Sequence, residues 1–350
     1  MPVLKPADLI SNRVKALMDF HTETGVSRAE LDLSGGIDSA VMACLLVEAL
    51  RAENVTLVHT IIGTDPKATR RARDIAAALK CRLIVGDFTN IFDLVVEEME
   101  KSMCEAGYNM DEIRNRCIAD PTIAGSIRST LRAPLGRGYN RITGGGIRHG
   151  TGNECEDRFL RFFQKGGDGE VDSNPIEMLS KTEVYQLAFA LGQDMGPEVA
   201  KALRPIIDVS PSPDLWGQGE ANHKDEDELF KWTGAPFTYG RINSSTGEII
   251  RVGTIERVAR FLDTDMVYPD GQLFSAAFCL FEGNAHLNDV LTAAQESGYF
   301  KGLDDTTIMT LLRAARRCEK ATRHKSNTNI PTLGTRASLV EAGILGNELP

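Results

Sequence analysis

The chain has 350 residues, 42% of them apolar and 25% charged, and a formal net charge of −10. That length supplies ample core for one enlarged α/β domain or two smaller ones, and the acidic balance excludes broad binding to nucleic acid or an anionic membrane while leaving room for a local basic pocket. Seven scattered cysteines (Cys44, Cys81, Cys104, Cys117, Cys155, Cys279 and Cys318) contain no C-x-x-C pair, and neither an apolar run of membrane-spanning length nor a leader-like start is present, so the expectation is a soluble, cytoplasmic protein with free thiols.

Residues 1–90 alternate in a βα rhythm. A helix at about 5–22 precedes a strand at Ala29–Leu33, in which Asp32 is out of place, and a helix from Ser39 to Leu50 that is apolar nearly all round. An apolar run Val55–Ile62, a helix over about 66–79 and a strand Arg82–Val85 follow. This alternation predicts right-handed crossovers and a doubly wound parallel sheet flanked by helices, with ligands at the carboxyl ends of its strands. Helical patterns continue at about 88–106, 123–139, 154–164 and 181–191, with a poor strand within 141–149. From Pro205 to Gly240 the Pro, Gly, Trp and acid content reads as a long loop region, and 238–253 as a hairpin turning at Ser244–Gly247. Helices near 287–298 and 304–322 close the chain, the second setting Ile308, Leu311, Leu312 and Ala315 opposite Arg313, Arg316, Arg317 and Lys320.

The hexapeptide Ser34-Gly35-Gly36-Ile37-Asp38-Ser39 lies between the first strand and the apolar helix. A glycine pair there lets backbone N–H groups close on a phosphate, and the helix N-terminus adds its positive dipole end. Ser34 and Ser39 offer hydroxyls and Asp38 a carboxylate for a divalent cation, whereas no lysine follows the glycines as it does in ordinary kinases. The alternative is a tight turn with a helix cap. In register with strand, helix and Asp38, the hexapeptide resembles the pyrophosphate-binding loop of the ATP pyrophosphatase (PP-loop) superfamily.

Five further groups carry chemistry. In Gly150-Thr151-Gly152-Asn153-Glu154-Cys155-Glu156-Asp157, Asn153 could cap a helix with Glu156 reaching back, or the acids could supply a second magnesium ligand opposite Asp38. Lys165–Asp172 is a glycine-rich bend carrying Asp168 and Asp172. Ser180 and Glu183 form a capping box that puts Lys181 in the first turn of a helix, where a cation is favoured once an anion occupies the helix mouth. Arg128, Arg132, Arg137 and Arg141 form a basic run suited to phosphate or carboxylate, or else a solvated face. His324-Lys325 precedes a tail that could fold back over the site.

Taken in order, these motifs resemble NAD synthetase: Ser34–Ser39, the GTGN-x-x-E of Gly150–Glu156, the K-x-GDG-x-x-D-x-x-P of Lys165–Pro175, the KTEV of Lys181–Val184, the segments Pro211–Trp216 and Asp225–Leu229, and His324-Lys325. The resemblance implies one domain over 1–350, with 205–285 as an elaboration and a mainly helical, enlarged C-terminal part. It implies ATP-dependent amidation of deamido-NAD through an adenylated carboxylate, releasing AMP and pyrophosphate. ATP and Mg2+ are the implied co-substrate and metal, and a homodimer the implied assembly. Carried over, it puts ATP pyrophosphate on Ser34, Gly35, Gly36, Ile37, Asp38 and Ser39, and metal on Asp38 and on Glu156 or Asp157. Asp168 is placed near the reacting carboxyl and ammonia, and Lys181 and Ser212 at ATP phosphates. Arg128, Thr151, Asp172, His324 and Lys325 complete the expected binding set. Ser212 stands where the family usually has threonine, and Gly166 where it often has an aromatic residue. Only 28 residues precede the first strand, too few for a glutaminase, so ammonia is the expected nitrogen donor. The rival readings are another adenylating amide-forming ligase of the same superfamily and a non-catalytic ATP-binding module.

Overall fold

The computed structural model describes residue 3 and residues 5–120, 122–212, 224–267, 273–282, 286–325 and 333–346. Helix α1 (Pro6–Thr24) starts on a proline and ends at Gly25 in the left-handed conformation, both favoured at those ends. Four strands, β1 (Ala29–Asp32), β2 (Val55–Ile61), β3 (Arg82–Asp87) and β4 (Ile147–His149), form a parallel sheet in the order β3-β2-β1-β4. The predicted βα alternation is therefore realised, and the order reverses between β1 and β4, where the connection from β1 turns one way and the return to β4 the other.

Helix α2 (Ile37–Leu50) buries every residue from Ser39 to Leu46, which explains its lack of a polar face: sheet residues lie on one side and α1, α7 and α8 on the others. Between β2 and β3 runs α3 (Pro66–Ala78), capped by Asp65. The stretch to β4 carries three helices, α4 (Thr89–Glu105), α5 (Met110–Ala119) and α6 (Thr122–Ile142). The strand expected within 141–149 shrinks to Ile147–His149, because α6 and a glycine turn occupy the rest.

A single π-turn (Glu154–Phe159) replaces the helix expected to 164. Then come α7 (Lys181–Asp194) and α8 (Pro197–Asp208). Pro205 does not begin a loop. It sits in the last turn of α8 on the exposed side, while Ala202, Leu203, Ile206 and Ile207 are buried, so the strong apolar stripe outweighs the one hydrogen bond that proline removes. The loop region is broken again by α9 (Asp225–Thr233), and 213–223 lie outside the described residues. The expected hairpin is present as β5 (Arg241–Ile242) and β6 (Ile249–Arg251), antiparallel around Asn243–Glu248. Helix α10 (Thr254–Leu262), strands β7 (Asp265–Val267) and β8 (Leu273–Ser275), and helices α11 (Ala276–Glu282), α12 (Leu287–Glu296), α13 (Asp305–Thr322) and α14 (Arg336–Glu341) complete the order.

Two apolar clusters result. The first fills the sheet and α1, α2, α3, α7 and α8. The second joins α9 through α13, and Cys155, Phe159 and Leu160 of the π-turn enter it. The π-turn thus sends its apolar side chains to the C-terminal helices and Glu156 to Lys181, which also meets Asp38 of the phosphate loop.

Candidate active site

The loop after β1 is built around Gly35, whose φ of +83° is open to glycine alone at low strain. A Cβ there would stand 2.3 Å from the Ala68 carbonyl oxygen of α3. Arg71 of α3 donates Nε to the Gly35 carbonyl at 2.8 Å, and the Ser34 and Ser39 hydroxyls meet at 3.0 Å. The Ser34 hydroxyl also receives the Gly36 N–H (3.2 Å), and Ser39 donates to the Gly36 carbonyl (3.1 Å). The loop is thus pre-shaped by its own side chains at the start of α2, where the helix dipole favours an anion.

Asp38, in the first turn of α2, accepts Asn153 Nδ2 on Oδ1 at 2.9 Å and Lys181 Nζ on Oδ2 at 2.7 Å. The same ammonium donates to Glu156 Oε1 at 2.6 Å. One cation therefore joins β1–α2, the π-turn and α7. Asn153 caps the π-turn through the Cys155 and Glu156 N–H groups. The reciprocal half of the expected capping box is not made by Glu156, whose carboxylate is drawn to Lys181 instead. Lys181 is 1% exposed and lies 5.3 Å from the centre of the Tyr239 ring. Burial works against its charge, but Asp38 and Glu156 outweigh it and hold the ammonium well above the usual lysine range.

Asp157 goes elsewhere: it accepts Asn174 Nδ2 at 2.8 Å, and a Cβ on Gly152 would collide with its carboxylate. Burial, reinforced by Glu156 and Asp168, pushes its carboxyl well above the ordinary range. The structure therefore brings Glu156, and not Asp157, to the same cation as Asp38.

Lys181 is positioned from both sides. The Ser180–Glu183 capping box is complete, as predicted, and Arg336 of α14 clasps Glu183 with two bonds of 2.6 Å. Glu256 of α10 receives the Thr182 N–H and hydroxyl and the Gly240 N–H, at 2.9–3.2 Å. Glu154 pairs with Arg260, also buried, at 2.6 Å. Arg336, Glu256 and Arg260 were not identified from sequence, because each lies more than 70 residues from Glu183, Thr182 or Glu154, the residue that it holds.

Asp168 is exposed on its glycine bend, with Oδ1 receiving the Ser129 hydroxyl of α6 and the Gln164 N–H, both at 2.7 Å. Lys325 donates to the Phe163 and Arg161 carbonyls (2.5 and 3.1 Å) at the start of that bend, so the C-terminal segment does reach it, whereas His324 is exposed. Asp172 is held by Arg137 (2.9 Å) and the Arg148 N–H (2.8 Å). Arg128 is buried on α6, Thr151 lies half-buried in the turn after β4, and Ser212 is exposed at the end of its described stretch. The other residues of the Pro211–Trp216 segment beyond Ser212 lie outside the described residues.

Two features were not foreseen. Asp32, odd in a strand, is paired together with Glu30 to the Arg148 guanidinium of β4, at 2.6 Å for Glu30, and Gly136 of α6 leaves the space that Arg148 fills. Alternating acids in β1 were the available signal. Asp225, at the start of α9, is pushed by burial, and by Glu156 and Asp38, to about 8, with Lys181 acting the other way.

Parallel strands, a glycine loop on a buried helix and an acid at its first turn define an α/β nucleotide-binding fold of the PP-loop type. The family model described as NAD synthase matches residues 9–234. The NH3-dependent NAD+ synthetase of Methanococcoides burtonii is 32% identical over 230 residues, covering 65% of this chain and 75% of that protein. Its namesake from Archaeoglobus fulgidus is also 32% identical over 230 residues, with 64% and 78% covered. This chain belongs to the NAD synthase family. Among solved structures, the fold is similar to that of an NMN synthetase from Francisella tularensis (TM-score 0.55, 21% identity, covering 86% of this chain and 98% of that one). It is also similar to an NAD+ synthetase from Burkholderia pseudomallei (TM-score 0.50, 20% identity, 93% and 91% covered).

Proposed function

We propose that this protein joins ammonia to the carboxylate of deamido-NAD at the expense of ATP, yielding NAD, AMP and pyrophosphate. The observation that supports this most is the convergence of Asp38 and Glu156 on the Lys181 ammonium beside the glycine loop. A carboxylate is a poor acceptor for ammonia and is first made a mixed anhydride. Its oxygen attacks the α-phosphorus of ATP, the bond to pyrophosphate breaks, and AMP later leaves as the amide forms. The Ser34–Ser39 loop and the start of α2 take the pyrophosphate, and Lys181 offsets its growing charge. Positioning and charge stabilisation then account for the catalysis.

Magnesium suits this donor set: two carboxylates already meet at one cation, and hard oxygen ligands are what the ion prefers. Among the described residues no group of three or more His, Cys, Asp or Glu could hold a metal alone, so Asp38 and Glu156 would hold it together with phosphate oxygens. The ion supplies charge neutralisation on the phosphates when bound. Asp168, fixed by Ser129, attracts ammonium and takes up its proton before attack. Arg128, Thr151, Asp172, Ser212, His324 and Lys325 complete the substrate contacts of the reading.

The whole chain is read as one NAD synthetase-like domain with 205–285 elaborating it, since the second apolar cluster includes the π-turn of the site. It acts as a homodimer in the cytoplasm, and no helix among the described residues is long and apolar enough to cross a membrane. The test is product analysis with ATP, magnesium, ammonium and deamido-NAD, run beside nicotinate mononucleotide and glutamine. NAD, AMP and pyrophosphate in equal amounts support the reading. Preference for another carboxylate makes the protein a different ligase of the superfamily, and ATP binding without turnover makes it a regulatory module.

A further inference from the structure

The Lys181 ammonium stands where a metal shared by Asp38 and Glu156 would stand, 2.7 Å from one carboxylate and 2.6 Å from the other. Its side chain is buried, so it cannot exchange this pair for water without leaving a desolvated charge, an arrangement that costs several kcal/mol. We propose that Lys181 is a resident counter-ion that bars divalent metal from the carboxylate pair until a nucleotide phosphate gives the ammonium another partner. Metal and nucleotide then enter only together.

The surroundings make the barrier one-sided. Tyr239 lies beneath the ammonium. The Thr182 N–H and hydroxyl are taken by Glu256, and Glu183 by Arg336. Helix α7 is thereby held at both residues after Lys181, leaving side-chain rotation toward the loop as the route of release. A triphosphate on the Ser34–Ser39 loop would lie beside Asp38 and draw the ammonium off the carboxylates, which then accept the metal. An unliganded protein keeps its two acids neutralised and is not stabilised by metal alone.

This inference rests on the ATP-dependent reading, and a binding experiment separates the two. Mn2+ is titrated into the full chain and followed by electron paramagnetic resonance, with and without a non-hydrolysable ATP analogue. Wild type is expected to bind no Mn2+ alone at this site, and one equivalent with the analogue. Lys181→Met should bind one equivalent of Mn2+ alone, at least about 100-fold more tightly than wild type, near the upper end of ordinary site–site coupling. Lys181→Arg, which keeps the cation, should behave as wild type, and adding Asp38→Asn to Lys181→Met should abolish binding. Should Lys181→Met not fold, wild type decides alone: tight stoichiometric Mn2+ binding without nucleotide, lost in Asp38→Asn, overturns the proposal. Equal Mn2+ affinity in wild type and Lys181→Met also overturns it. Failure of the analogue to bind at all overturns the ATP reading instead.

Discussion

At the scale of single residues, the two acids of the π-turn separate cleanly. Glu156 shares Lys181 with Asp38, whereas Asp157 turns to Asn174. Glu156→Gln should therefore abolish ATP cleavage with a nearly unchanged melting midpoint. Asp157→Asn should keep turnover, because its carboxyl is already biased toward the neutral form and an amide can replace it. Pyrophosphate release and calorimetry on both proteins check this, and equal activity would remove Glu156 from the metal assignment. Asp38→Asn should likewise stop cleavage while folding normally, since Asn153 can still bond an amide oxygen at that position. Asp168→Asn should depress amide formation more than exchange of labelled pyrophosphate into ATP, and equal loss of both would place its role before ammonia attack.

At the scale of elements, the first ninety residues were legible because period, turn chemistry and burial agree there. Strand β1, α2 and the glycine loop follow from an apolar run, an all-apolar helix and a residue pair that permits positive φ. Helix α5 was missed because its residues are all at least partly exposed and leave no stripe, and α8 was missed as well, its last turn assigned to the loop region that Pro205 was read as opening. Of the site, the loop, Lys181 and the capping box were readable, since each is local. Arg336, Glu256 and Arg260 were not, because only the folded chain brings α14 and α10 to α7 and the π-turn. Arg336→Ala tests that brace: it leaves the buried Glu183 carboxylate unpaired and should cost about 3–5 kcal/mol in urea unfolding. Raised KM for ATP at low temperature would show Lys181 displaced as well, and a loss below about 1 kcal/mol would deny Arg336 this role.

A second device at this scale is the histidine pair joining α1 to β4. His21 Nε2 and His149 Nε2 are 3.0 Å apart, while His21 Nδ1 meets the Val26 carbonyl and His149 Nδ1 the Ser173 hydroxyl, both at 2.6 Å. With both rings neutral, His21 donates to Val26, His149 donates to His21, and Ser173 donates to His149. Burial, helped by His21, lowers His149 to about 3. The unfolded chain therefore takes up a proton from about pH 6.5 downward that the folded chain refuses until about 3. The stability due to neutral His149 is complete above 6.5 and falls by up to about 1.4 kcal/mol per pH unit below it. Glu30, raised mainly by burial to about 6, acts with the opposite sign, so the useful quantity is the difference from His149→Gln. That difference should shrink steadily between about pH 6 and 4 in urea titrations, and a constant difference would contradict the assignment.

At the scale of the whole molecule, the chain leaves one flank apolar. None of the residues of α4 or α5 is fully buried, although Ile91, Leu94, Val95 and Met99 recur at helical spacing. Leu94 is 60% exposed, and Ile118 on α5 and Ile142 at the end of α6 are 77% and 83% exposed. Side chains of this kind on successive helices are what a partner covers, and a second copy of this chain fits the homodimer proposed above. Strand β3, an edge of the sheet, is also only partly buried. Leu94→Glu combined with Ile118→Glu should turn a dimer into a monomer in sedimentation velocity, with the fold kept, because neither residue is fully buried within the chain. Since α6 also carries Ser129, which holds Asp168, the monomer should lose amidation with its dimer. Activity that tracks protein concentration through the dissociation range would tie the site to the assembly. A wild-type monomer, or a double variant that stays dimeric, would remove this flank as the interface.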